Sequence, residues 1–230
     1  METDEVGRLV KDVDGWFTDK EGMLLYNLAK RCTGRGVIVE IGSWKGKSTI
    51  WLAQGSKAGK KVKVYAIDPH IGSPPLKPNG EEIWTFDEFK RNITAAGADD
   101  IISPIVKTSE EAVREVTEPV ELIFIDGDHT YEGVKKDFEL WYPKVVPGGF
   151  MVFHDSIILP GPKRVVGEHL FKSKNFKDVS FVKATTFGEK TQENTPPNRL
   201  RNRCMLLCKD IYEIVCITKI TLVKLLKRLK

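Results

Sequence analysis

Four short apolar runs, each closed by acidic or otherwise polar residues, constrain the fold of this chain more than any other feature. Val37-Ile38-Val39-Glu40-Ile41 lies between glycines, and Val62 to Ile67 stops at Asp68-Pro69-His70. Val120 to Ile125 runs into Asp126-Gly127-Asp128-His129, and Phe150 to Phe153 ends at His154-Asp155. Runs of this length, continuous rather than alternating, suit strands buried on both faces. Lys47 to Gln54, Phe86 to Ala96 and the Val134, Phe138, Trp141 spacing suit helices between them. Strands alternating with helices mean parallel βαβ units, so the expected body is a doubly wound α/β sheet. The same reading brings Glu40, Asp68, Asp126, His154 and Asp155 to the carboxyl edge of that sheet, where open α/β sheets bind ligands.

The remaining elements follow from local signals. Residues 16–31 read as an amphipathic helix with Thr18 as N-cap, Glu21 as its capping-box partner and Leu24, Leu25 and Leu28 as an apolar stripe. Ile101 to Val106 is a strand that Pro104 demotes to an edge. The segment 71–85, with Pro74, Pro75 and Pro78, is read as a loop over a site. Pro147-Gly148-Gly149 reads as a turn. Phe181-Val182-Lys183 and Cys204 to Cys208 are expected to pair as a late antiparallel hairpin. These readings give a domain over residues 1–209, with a helical lead-in over 1–35, and a basic amphipathic tail over 210–230.

Composition is that of an ordinary globular chain, 41% hydrophobic and 30% charged over 230 residues. Charge is uneven. Residues 201–230 hold eight Lys/Arg against two Asp/Glu, a net +6, which leaves −2 for the rest of the +4 total. The body is therefore not a basic nucleic-acid surface, and no nucleic-acid partner is expected. Cys32, Cys204, Cys208 and Cys216 show no CxxC or metal-knuckle spacing and no signal peptide is apparent, so they read as buried, reduced thiols of a cytoplasmic protein.

In the tail, Ile211, Val215, Leu222, Leu225, Leu226 and Leu229 gather on one side of a helix, with Lys224, Lys227 and Arg228 on the other. It is too interrupted to span a bilayer. Two readings stay open: packing on the body or in a homo-oligomer, and peripheral contact with an anionic membrane surface.

The loop VEIGSWKGKST, residues 39–49, ends like a P-loop but has three residues between Gly42 and Gly46 where a P-loop needs four. It also fails the GxGxxG spacing of dinucleotide sites. Glu40 before the first glycine repels a pyrophosphate and suits a ligand bearing an ammonium or hydroxyls.

Together these residues resemble the class I S-adenosylmethionine-dependent methyltransferases, which share a Rossmann-like sheet. VEIGSWKGKST looks like their first motif and YAIDP like the second-strand acid. IFIDGDHTYEGVKKDFELWYPKVVPGGFMVFHDS resembles the group related to the macrocin and cephalosporin-pathway O-methyltransferases. The likeness covers roughly residues 16–156. It implies O-methylation of a hydroxylated small-molecule acceptor, a sugar or glycoside. The cofactor site would comprise Glu40, Gly42, Ser43, Gly46 and Ser48 of the loop, Asp68 for the ribose hydroxyls, Ser109 at the adenine rim, and Asp126. By the same resemblance, Asp126 and the His154-Asp155 pair match a magnesium site. His154 departs from an all-oxygen set, so it either stays outside the ligand shell or shifts preference to another divalent metal. Asp128 resembles the proposed base and His129 has the better intrinsic pKa, leaving the base open between them. The rival expectation is a non-catalytic binding protein on the same fold.

Overall fold

The structure is a computed structural model, and it describes residues 2–72 and 83–228. Two helices lead in, α1 (Thr3–Leu9) and α2 (Asp19–Arg31). There follow β1 (Val37–Ile41), α3 (Lys47–Ala58), β2 (Val64–Ile67), α4 (Phe86–Ala95), β3 (Ile102–Ile105), α5 (Ser109–Ala112) and β4 (Val120–Ile125). The chain continues through α6 (Tyr131–Trp141), β5 (Val145–Phe153), α7 (Pro160–Val166), β6 (Phe176–Val182), β7 (Thr185–Lys190) and α8 (Pro196–Arg228). The seven strands form one sheet in the order β3-β2-β1-β4-β5-β7-β6, parallel from β3 through β5 and antiparallel at β7 and β6. This is the mostly parallel, Rossmann-like sheet with a late hairpin that the sequence implies.

Alternation along the central strands divides the core into two layers. Ile38, Leu122, Phe124 and Val152 face a cluster built with Leu25, Ile50 and Trp51, whereas Val39, Ile123, Ile125, Met151 and Phe153 face one built with Trp141, Val165 and Leu170. Strand order reverses between β1 and β4, so the chain leaves these neighbours in opposite directions and a crevice opens above their carboxyl ends. At the opposite end Glu121 plugs the sheet. Its buried carboxylate accepts hydrogen bonds from Thr33 N–H (2.8 Å), Thr33 Oγ1 (2.8 Å), Gly34 N–H (3.0 Å) and Arg35 N–H (3.1 Å).

The start of α2 is as expected, with Thr18 and Glu21 forming a capping box. β3 is an edge strand, with Pro104 opposite Ala66. Four expectations are corrected. The hairpin exists, but its second strand is Thr185–Lys190; Cys204 to Cys208 is helical, inside α8. A five-residue apolar run carries no period, and here Met205 and Leu206 pack on the core while Leu207 faces solvent, which is helical spacing. The terminal helix begins at Pro196, so the boundary placed at 209/210 falls within one continuous element. Cys32 is buried, but Cys204 and Cys208 are exposed and Cys216 is half-buried; all four are free thiols. Pro147-Gly148-Gly149 lies inside β5, where the pairing with β4 shifts register, instead of forming a separate turn.

Pro74, Pro75 and Pro78 of the expected site loop lie outside the described residues. Of the tail stripe, Ile211, Val215 and Leu222 are exposed. Leu225, Leu226, Leu229, Lys224, Lys227 and Arg228 lie outside the residues whose side chains are described. Among the described residues no helix is long and apolar enough to cross a membrane.

Candidate active site

A cleft of about 1110 Å³ lies over the carboxyl ends of β1, β2 and β4, and its walls include Gly42, Ser43, Trp44, Asp68, Ser109, Asp126, Asp128, His129, His154 and Asp155. Most of the polar strand-end residues picked from the sequence therefore share one cavity. Glu40 does not line it.

Glu40 lies fully buried beneath the glycine loop, where Ser48 Oγ donates to one carboxylate oxygen (2.5 Å) and Thr49 Oγ1 donates to the other. The carboxyl group thus ties the end of β1 to the first turn of α3, and both oxygens are engaged by the protein. Burial pushes its pKa up to about 8, with the charges of Asp126 and Asp68 adding to the rise and the two hydroxyl donors opposing it. Because the folded-state pKa lies above its ordinary value of 4.5, this group's contribution to stability is complete below 4.5 and declines as pH rises through about 8. Urea unfolding of wild type and Glu40→Gln should show that decline in wild type and its flattening in the variant. Parallel pH profiles would contradict an ionisable, buried Glu40.

The loop above it is held by Asp68. One carboxylate oxygen accepts from Trp44 N–H (2.7 Å) and the other from His70 N–H (2.6 Å). Trp44 and His70 both have positive φ, 46° and 58°, so the carboxylate secures two unfavourable backbone turns. A carboxylate has about four lone-pair sites, which leaves acceptor capacity toward the cleft. Ser43 Oγ and Trp44 Nε1 are buried and make no hydrogen bond with the described residues. Unpaired buried polar atoms are costly, and these two belong to residues of the cleft wall.

Across the cleft, Asp126, His154 and Asp155 bring ligand atoms within 4.8 Å of one another. His154 Nδ1 lies 3.2 Å from Asp126 Oδ1 and 3.6 Å from Asp155 Oδ1, and its Nε2 lies 3.4 Å from Glu21 Oε1. The Phe17 ring covers the imidazole at 5.3 Å. Burial disfavours the imidazolium, but Asp126, Glu21 and Asp155 outweigh burial and raise the His154 pKa to about 11. Burial likewise opposes ionisation of Asp126, and the two neighbouring histidines hold its pKa below the ordinary value.

His129 is exposed, with Nε2 3.5 Å from both Asp126 Oδ1 and Asp155 Oδ2. Its hydrogen bond to Asp126 raises its pKa, against burial and with help from both carboxylate charges. Asp128 has a local task as well, accepting from Thr130 N–H (2.7 Å) in the turn that starts α6. Ser109 Oγ accepts from Trp141 Nε1 (2.9 Å) on the far wall.

Sequence reasoning missed three participants. Glu21 served only as a capping residue there, yet it also accepts from Ala184 N–H and Thr185 Oγ1 at 3.0 Å and reaches His154. Asp137, on α6, stands in the cleft wall with its pKa raised by burial to about 6. Trp16 is 68% exposed at the cleft and lies 6.3 Å from Trp44. No motif assigned any of these to the site.

Residues 39–156, just over half of the chain, match the profile of a methyltransferase domain family. The chain belongs to this family. Two relatives of unassigned activity align with it: one from Sinorhizobium fredii at 32% identity over 52% of the chain, and one from Acanthamoeba polyphaga mimivirus at 33% over 51%. The matched part spans only 13% of the first relative and 50% of the second. Solved methyltransferases share the fold. The O-methyltransferase NovP superposes with TM-score 0.65 at 19% identity, over 76% of this chain and 81% of its own. An O-methyltransferase from Bacillus cereus, solved with S-adenosylhomocysteine, gives 0.59 at 18%, over 82% and 90%. TomG from Streptomyces achromogenes, solved with S-adenosylmethionine, gives 0.59 at 16%, over 82% and 89%.

Proposed function

We propose that this methyltransferase-family chain binds S-adenosylmethionine and methylates a hydroxyl of a small molecule, a sugar or glycoside. The observation that carries the reading is the pair of cleft walls. On one, Ser43 Oγ and Trp44 Nε1, which have no partner among the described residues, and the spare acceptor capacity of Asp68 suit a ligand with hydroxyls and ring nitrogens. On the other stand the carboxylates and imidazoles that a reacting hydroxyl needs. The cofactor, when bound, supplies an electrophilic methyl on a sulfonium. Asp68 would accept from its ribose hydroxyls, and Gly42, Ser43 and Ser109 would shape its bed, while Gly46, which faces Phe89 and Ile93, would support the loop from behind. Glu40 and Ser48 would act indirectly by bracing the loop.

His129 is the favoured proton acceptor. Asp126 and Asp155 stabilise the imidazolium that forms when it takes the acceptor's proton, the same logic by which a carboxylate supports a catalytic histidine. Asp128, on the same wall, would position the acceptor. Trp16 offers an exposed face against which a sugar ring or an aglycone could stack.

A second reading adds a divalent metal, favoured by the 4.8 Å cluster of Asp126, His154 and Asp155. The donor set fits a small dication with two carboxylates. The imidazole suits a transition metal better than magnesium, and such an ion would lower the pKa of a bound hydroxyl.

Calorimetric titration of S-adenosylhomocysteine into the folded protein, in EDTA and then in magnesium or manganese, tests both. Binding in EDTA is expected, and a metal-dependent gain supports the second reading. No binding in any buffer would overturn the enzyme assignment in favour of a non-catalytic relative of the fold.

A further inference from the structure

Helix α8 turns one face to the body and leaves the other without a partner among the described residues. Its inner face is keyed to β6 and α7. The Asn202 amide donates to Phe176 O (2.8 Å) and accepts from Val179 N–H (3.2 Å). Tyr212 packs on Phe181 with ring centroids 5.3 Å apart, and Lys163 pairs with Glu213. These contacts fix the rotation of the helix about its axis.

With that rotation fixed, Leu200, Leu207, Ile211, Ile214, Val215 and Leu222 fall on the outer side, each between 54% and 65% exposed. At ~1.5 Å per residue the stripe is about 33 Å long. The exposed Cys204 and Cys208 broaden it. Isolated apolar residues on a surface are ordinary, but a continuous stripe of this length marks a binding face.

Charge selects the occupant. Residues 201–230 carry net +6 on a chain whose remainder is −2, a sum that includes Lys209, which is buried, and Arg201, which pairs with Asp178. Arg203 and Lys219 are exposed on opposite flanks of the stripe. Two copies joined stripe to stripe would oppose basic segments rich in like charge. A lipid surface with anionic headgroups instead receives the apolar stripe at the acyl boundary and the cations among the phosphates. No described helix could cross the bilayer, so the contact is peripheral.

We propose that α8 is a membrane-surface helix, seated by its outer stripe on anionic lipid while its inner face stays on the body. This does not depend on the methyltransferase reading.

The test is co-sedimentation of the full chain with vesicles of phosphatidylcholine alone and of phosphatidylcholine with phosphatidylglycerol. Binding to the anionic vesicles should be about tenfold stronger and should fall with added salt. The double substitution Ile211→Glu and Ile214→Glu should reduce it to the level of neutral vesicles without lowering the melting temperature. Equal binding to both vesicle types, or unchanged binding by the double variant, overturns the proposal. So does a wild-type dimer in sedimentation velocity that the same substitutions split, since that assigns the stripe to a second copy. Should Ile211→Glu with Ile214→Glu fail to fold, Arg203→Glu with Lys219→Glu provides the parallel charge test, with retained vesicle binding counting against the proposal.

Discussion

Asp68→Ala is expected to weaken S-adenosylhomocysteine binding by about 10²–10³-fold while leaving the chain folded. Two losses combine. The carboxylate that would accept from the ribose hydroxyls disappears, and the N–H groups of Trp44 and His70, held at 2.7 and 2.6 Å, lose the anchor that maintains their positive φ. Hydrogen bonds to a charged group contribute about 1.5–3 kcal/mol each, so losing the ligand contacts and loosening the loop together reach the stated range. The global cost should be smaller, because Asp68 is only half-buried and it and Trp44 line a cleft that water can enter; most of that cost should come from the N–H of the buried His70. Asp68→Asn, which keeps one acceptor oxygen, should fall between the two. Calorimetry with a parallel melting curve decides the matter. A variant that binds within about threefold of wild type would reduce Asp68 to a turn-forming residue in an Asp-Pro sequence.

The sheet was legible because its central strands are buried on both faces and so write themselves as unbroken apolar runs ending in polar residues. That is why β1, β4 and the end of β5, with Asp126, His154 and Asp155, could be placed from sequence. The hairpin and the tail were less legible for the opposite reason. β7 is the mixed segment Thr185–Lys190 with no apolar run, whereas Cys204-Met205-Leu206-Leu207-Cys208 looks like a strand and is helix because Asn202 and its neighbours dock on β6. Contacts between segments far apart in the chain were not readable. Glu21 meets His154 and Thr185 across more than a hundred residues, and Glu40 turns out to be consumed by Ser48 and Thr49 eight and nine positions on. In both cases the residue type was right for a site, and only the three-dimensional partners distinguish a ligand contact from a brace.

Gly42→Ala should be the most damaging single methyl group that can be added to the loop, costing about 3–5 kcal/mol. Gly42 has φ 85°, and a Cβ there would lie 2.1 Å from Asp126 O and 2.9 Å from Gly127 N. Those are backbone atoms, and they cannot turn aside as a side chain would. Nor can Gly42 retreat. Its own N–H donates to Ile67 O at 2.8 Å, and Asp126 N–H donates to Ile41 O at 2.8 Å, so the ends of β1, β2 and β4 are pinned together around it. Whatever shift the methyl forces must pass to Asp126, which carries the contacts to His129 and His154, and S-adenosylhomocysteine binding should be lost along with stability. Gly46→Ala is the internal control. Its φ of 91° imposes much the same backbone strain, but its Cβ would meet Phe89 Cδ2 at 3.2 Å and Ile93 Cγ2 at 3.3 Å, side-chain atoms that can give way. That variant should lose only about 1–2 kcal/mol. At roughly 2–4 °C per kcal/mol for a chain of this size, the two melting temperatures should differ by several degrees. The difference isolates the close approach of backbone to backbone from the cost of positive φ, because φ is nearly common to both sites. Equal melting temperatures would mean that conformation alone demands glycine at position 42, and that the end of β4 has more freedom to move beneath the loop than its hydrogen bonds imply.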